Sequence, residues 1–166
     1  MRAGYNWDLL MRERPFLDAL EICRWDALAY VLADLAVIAE GWLRPHAGGG
    51  NDSPLADRLV ADFATTLAGH PVPQHRPEGW GGEIEALRQR LAAARLAAPK
   101  PVHEVGRTAG GRIFEILPIH PTLRLHDREL ITNNIRFNLC RSFEDMEAGV
   151  DPLPVAAAYV ALDPHA

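Results

Sequence analysis

The sequence predicts an α+β domain, mostly helical, in which N-terminal amphipathic helices pack with a small C-terminal β-hairpin and a further helix. Three observations predict it. Apolar residues recur at three- and four-residue steps through the first part of the chain, two β-rich runs flank a Gly-Gly pair after Pro101, and four-residue spacing returns from Ile131 onward. The helical part is expected over about residues 14–97 and the mixed part over about 102–162, together one domain of 166 residues (1–166) around its own core.

The first helix is expected from about Arg14 to Trp42. Leu17, Leu20, Leu28, Val31, Leu32, Leu35, Ile38 and Trp42 form one face, Trp25 borders it, and the interleaved alanines favour the helix by propensity. Arg44-Pro45 and Gly48-Gly49-Gly50 end it. Ser53 then reads as an N-cap with Pro54 at the first helical position. Leu55, Leu59, Phe63 and Leu67 follow at intervals of four, and Gly69 closes this second helix.

From His70 to Gly82, Pro71, Pro73, Pro77, Gly79, Gly81 and Gly82 make a loop. A third helix runs from Glu83 to about Ala97, with Ile84, Leu87 and Leu91 on one side and Pro99 and Pro101 as its stop. Beyond Pro101 the period changes. Val102 to Val105 and Arg112 to Ile116 read as two strands, with Thr108-Ala109-Gly110-Gly111 as their turn, and Leu123 and Leu125 could add a short third strand. Ile131, Ile135, Leu139 and Phe143 favour a helix from about Asp127 to Ala148, although Ile135, Phe137 and Leu139 also alternate as a strand would. After Pro152 and Pro154 a last apolar element spans Val155 to Leu162. An isolated hairpin is marginal in water, so these strands would pack on the helices or pair with another copy.

A hydrophobic share of 48% with 23% charged residues excludes a disordered chain. Cys23 and Cys140 form no Cys-x-x-Cys pair, which excludes a zinc knuckle and a thioredoxin-type redox site. Asp8, Arg12, Glu13 and Arg14 interrupt the N-terminus where a signal peptide would be apolar. Ala27 to Ala39 is too short to span a bilayer and contains Asp34. The expected location is cytoplasmic, with no membrane partner. Net charge is −5 but uneven. Residues 144–166 hold five acids and no Lys or Arg; residues 83–141 hold nine Arg and Lys100 against six acids, a surplus of four. Arg88, Arg90, Arg95, Arg107 and Arg112 in that stretch make nucleic-acid binding an alternative, ranked low because such a surplus is common on solvated helix faces.

Imidazoles and carboxylates are the ligands a divalent transition metal prefers, and His103, Glu104, His120, His126 and Asp127 form the densest cluster of them. His126-Asp127 is similar to the doublet of metal-dependent phosphohydrolases of the HD type. That family carries the doublet within a helix, with further His and Asp ligands on neighbouring helices. The similarity here covers two residues, placed ahead of the expected helix with no helical His before them, and membership is not inferred. The simpler reading makes His103 an outward strand residue, His120 a turn residue and His126 or Asp127 a helix cap.

Glu21 and Arg24 fall inside the apolar stripe of the first helix, where a buried carboxylate would be a candidate acid or base. An intrahelical pair at the border of an interface is the simpler alternative. Trp80, His75 and His70 decorate the Pro-rich loop and are candidate partner contacts. Gly106 to Gly111 lacks the Lys-Ser/Thr ending of a phosphate loop, neither Ser53 nor Ser142 sits in a nucleophile elbow, and nothing local marks Cys140 as activated. No motif names a reaction. The reading that remains is a non-catalytic accessory or assembly protein that binds protein subunits or itself. A small metal-assisted, hydrolase-like enzyme is its alternative, and a nucleic-acid-binding accessory protein the second.

Overall fold

The structure, a computed structural model, describes residues 12–48, 54–118 and 121–161, with the side chains of 121–126 excepted. Its elements are α1 (Arg14–Ala47), α2 (Leu55–Ala68), α3 (Gly81–Ala94), the single turn α4 (Val102–Val105), α5 (Arg107–Ile116), α6 (Pro121–Gly149) and α7 (Pro152–Ala161). Among the described residues there is no strand. The α+β expectation, with its C-terminal hairpin, is therefore wrong: the fold is all-helical.

The difference arises at residues 106–111, where Gly106 and Gly110 lie in a helical face and not in a hairpin turn. Val105, Gly106, Ala109, Gly110, Ile113 and Phe114 are all buried, and their spacing is that of one helical face once the small residues are counted as interior. A Cβ on Gly106 would stand 3.1 Å from the Leu139 side chain, and one on Gly110 only 2.9 Å from Thr132 Cγ2. The two glycines, four residues apart, make a groove into which α6 settles. No turn is needed to explain them. Leu123 and Leu125, expected as a third strand, belong to the first turns of α6.

α1 is the spine. Its 34 residues reach about 51 Å at the usual helical rise. α2 and α3 pack together along one part of it, and α5 and α7 lie against others. Because neighbours approach from several directions, many of the buried positions on α1 are small or polar, Ala29, Ala33, Asp34, Ala36 and Glu40 among them, beside Ile38 and Leu43. The larger stripe residues, such as Leu32 and Trp42, are half-buried around these contacts. The helix continues through Pro45, beyond the stop expected there. Proline in the last turn removes one ladder bond, while the buried Leu43 and Ala47 hold that turn in place. Gly48, at φ 64°, then ends it.

α2 buries Leu55, Leu59, Val60, Phe63 and Leu67, as its spacing predicts. The Ser53 cap expected for it lies outside the described residues. α3 contributes Leu87 and Leu91 to the same core, and α7 contributes Ala156 with Val155 and Tyr159 at its edge. The Tyr159 hydroxyl donates to Asp62 at 2.5 Å, tying α7 to α2. α6 is different. It is seated on α4 and α5, with Leu139 buried and Phe143 edge-on to Trp42 at 6.3 Å between ring centres.

Candidate functional site

Three polar centres lie in or near the interior, and each joins helices. Asp34 is fully buried on α1. Its Oδ1 accepts from Arg90 Nη2 of α3 at 2.5 Å, and its Oδ2 accepts from the backbone N–H of Ala109 at 2.8 Å. Ala109 is in the first turn of α5, where backbone N–H groups have no partner within their own helix. Asp34 thus caps α5 from another helix, a role that helix N-termini assign to carboxylates. Burial pushes the Asp34 carboxyl up, against the opposing pull of the Ala109 N–H and of Arg90.

Glu40, 3% exposed, faces Arg44 one turn along α1. The pair is bidentate: Nε to Oε1 at 2.8 Å and Nη2 to Oε2 at 2.6 Å. Arg44 also donates to the carbonyls of Ala94 and Ala97 at 2.9 and 2.6 Å, satisfying the end of α3. These groups line an open cleft of about 290 Å³ between α1, α3 and α4, with Val37, Val105 and Pro99 as apolar wall and Lys100 and Glu104 at its edge. Arg44, Arg90 and Lys100 line it against Glu40 and Glu104, and Glu40, Arg44 and Arg90 already bond to other parts of the fold.

The third centre clamps the Pro-rich loop. Arg76 donates to Asp26 of α1 at 2.6 Å and to Glu83 of α3 at 2.5 Å, and His75 lies 3.1 Å from the same Asp26 oxygen. The guanidinium of Arg76 stands over the Trp80 ring, 5.1 Å from its centre. Gly79, at φ 75°, closes the turn between them.

The residues singled out from sequence fall into this frame unevenly. Glu21 and Arg24 pair at 2.7 Å, but with side chains 54% and 64% exposed they stand on the surface instead of in a buried stripe. The Trp25 indole N–H donates to the same Glu21 oxygen at 3.1 Å. Trp80 is buried with its ring in the core; His75 is held by Asp26, and His70 meets Trp25 edge-on at 5.8 Å. His103 and Glu104 are exposed on α4, and the carbonyl of His103 accepts from Arg136 at 2.8 Å. Asp127 is half-buried within α6; the side chain of His126 and the whole of His120 lie outside the described residues. Among the described residues no three His, Cys, Asp or Glu side chains come together as a metal site. Of the basic residues, Arg88 pairs with Glu85, Arg90 with Asp34, and Arg112 lies over Tyr30. No helix among the described residues is long and apolar enough to cross a membrane.

Sequence reasoning missed a surface. On α6 the side facing α4 and α5 carries Thr132, Leu139 and Phe143. The opposite side carries Leu130 and Phe137, 70% and 65% exposed and in line two turns apart. The signal was present as a seven-residue interval within a stretch whose alternation also suited a strand. Compared with models of known protein families, with curated proteins and with solved structures, the chain matches none.

Proposed function

We propose that this chain is a non-catalytic accessory or assembly protein that works through protein–protein contact, with the outer face of α6 as its docking surface. One observation carries the reading. A single exposed apolar side chain is ordinary on any protein surface, but Leu130 and Phe137 form a row on the side of α6 turned away from the core. An aromatic and an aliphatic residue two turns apart on one helix face have the spacing at which a helix presents anchors to a partner. The buried and half-buried ionisable groups favour the same reading, for Asp34, Glu40, Arg44 and Arg76 are engaged in joining helices.

The test places a photoreactive phenylalanine analogue at Phe137 in cells of the protein's source. A discrete cross-linked protein is expected from that position and not from Leu96, which is 75% exposed in the turn that follows α3. Equal yields from the two positions, or no discrete adduct, would contradict the reading.

A further inference from the structure

We infer that the partner of this face is a second copy of the chain, its α6 running antiparallel to the first about a two-fold axis near Asn134. The inference rests on the assembly reading above and adds the identity of the partner. What points to a second copy is that the face complements itself. Leu130 and Phe137 are equally spaced about the midpoint of Asn133 and Asn134, and Asp127 and Arg141 are equally spaced about Asn134. At the helical rise per residue these two centres differ by less than about 1 Å. One two-fold axis therefore seats each Leu130 on Phe137 of the other copy and brings each Asp127 opposite the other copy's Arg141.

The helical rotation agrees. Leu130 and Phe137 lean to one side of the line through Asn134, and an antiparallel two-fold keeps both on a common edge of the contact. Asp127 and Arg141 lie close to that line on either side. Neither is taken up by an ion pair with another described residue. A parallel pair in register would set Asp127 on Asp127 and Arg141 on Arg141, so the charges select the antiparallel arrangement. Asn134, whose side-chain oxygen accepts from Asn138 at 3.0 Å, sits at the centre of this line.

Sedimentation equilibrium of the full chain tests this, with circular dichroism and thermal melting as controls on folding. The wild type is expected at twice its 18.3 kDa mass, and Phe137→Glu at the mass of one chain. Asp127→Arg and Arg141→Asp are each expected to weaken the dimer about tenfold, because two symmetric pairs are lost and turned repulsive. The double reversal is expected to recover it. A wild type that stays monomeric, a dimer indifferent to Phe137→Glu, or a double reversal no tighter than the single ones would overturn the inference. A monomer whose Phe137 position still cross-links to a different protein would overturn the second-copy partner alone. A monomer without any such cross-link would overturn the assembly reading as well.

Discussion

An aspartate in the middle of the central helix, beside Ala33 and Ala36, has no access to water, and it stays there because two other helices need it. Its carboxylate ends the run of backbone N–H groups that α5 cannot satisfy alone and neutralises a guanidinium from α3. Removing one partner of a buried pair leaves the other charge uncompensated, so Asp34→Ala is expected to cost about 3 kcal/mol in chemical denaturation. Asp34→Asn keeps an acceptor for Ala109 and should cost less. The same group predicts a pH trend. Burial raises the Asp34 carboxyl above its ordinary value, so the unfolded chain releases that proton first as pH rises. The folded state then holds more protons, and this contribution to stability is lost as pH climbs from the ordinary carboxylate range through the raised folded value. Denaturation midpoints across the acidic range should therefore fall in the wild type relative to Asp34→Asn. Parallel curves would contradict it.

Among the elements, α5 and the Pro-rich loop make the sharpest claims. Gly110 and Gly111 are neighbours in one helix with ordinary backbone angles, yet only Gly110 faces α6. A methyl at Gly111 meets nothing within 4 Å, and Gly111→Ala should stabilise by up to about 1 kcal/mol through helix propensity. At Gly110 the methyl meets Thr132 Cγ2 at 2.9 Å and the Thr132 backbone at 3.3 Å, where a β-branched residue has little room to yield. Gly110→Ala is expected to destabilise by about 1–3 kcal/mol despite the propensity gain. Thermal melts of the two variants should move in opposite directions; a shared direction would refute the groove. In the loop, Arg76→Ala removes the bonds to Asp26 and Glu83 and the cover over Trp80, and should expose residues 70–80 to limited proteolysis at unchanged helix content. Cleavage no faster than in the wild type would show that the clamp is dispensable.

These elements also mark what the sequence could and could not disclose. α2 was legible because four large apolar residues at intervals of four leave no other reading. α5 is not, because the first half of its interior face is Ala109 and Gly110, preceded by the capping Gly106, and these count as turn or neutral residues until a second helix is known to lie on them. Asp34 looked like an interruption of an apolar run, since its partners stand 56 and 75 positions away. Glu21 and Arg24 were found as a pair, but the side of α1 that faces solvent there depends on where α2 and α3 pack. For α6, the persistence of the four-residue spacing favours helix over hairpin, and the helix begins at Pro121, ahead of the Asp127 start that the spacing predicts.

At the scale of the molecule, a central helix is enclosed by α2, α3, α5 and α7, while α6 rides outside on α4 and α5 and presents a second face. Interior charge joins helices, and the outer side of α6 carries the exposed pair Leu130 and Phe137. Two copies joined through that row would cover Leu130 and Phe137 and match Asp127 with Arg141 in a single arrangement. In it, Asn134 is the position of α6 that lies opposite itself. The most direct measurement is disulfide formation by Asn134→Cys under mild oxidation, in a chain also carrying Cys140→Ser so that the buried Cys23 is the other remaining thiol. A cross-linked dimer is expected from this position and not from Arg141→Cys, which lies opposite Asp127. Equal cross-linking at both positions, or none at Asn134, would contradict the antiparallel face.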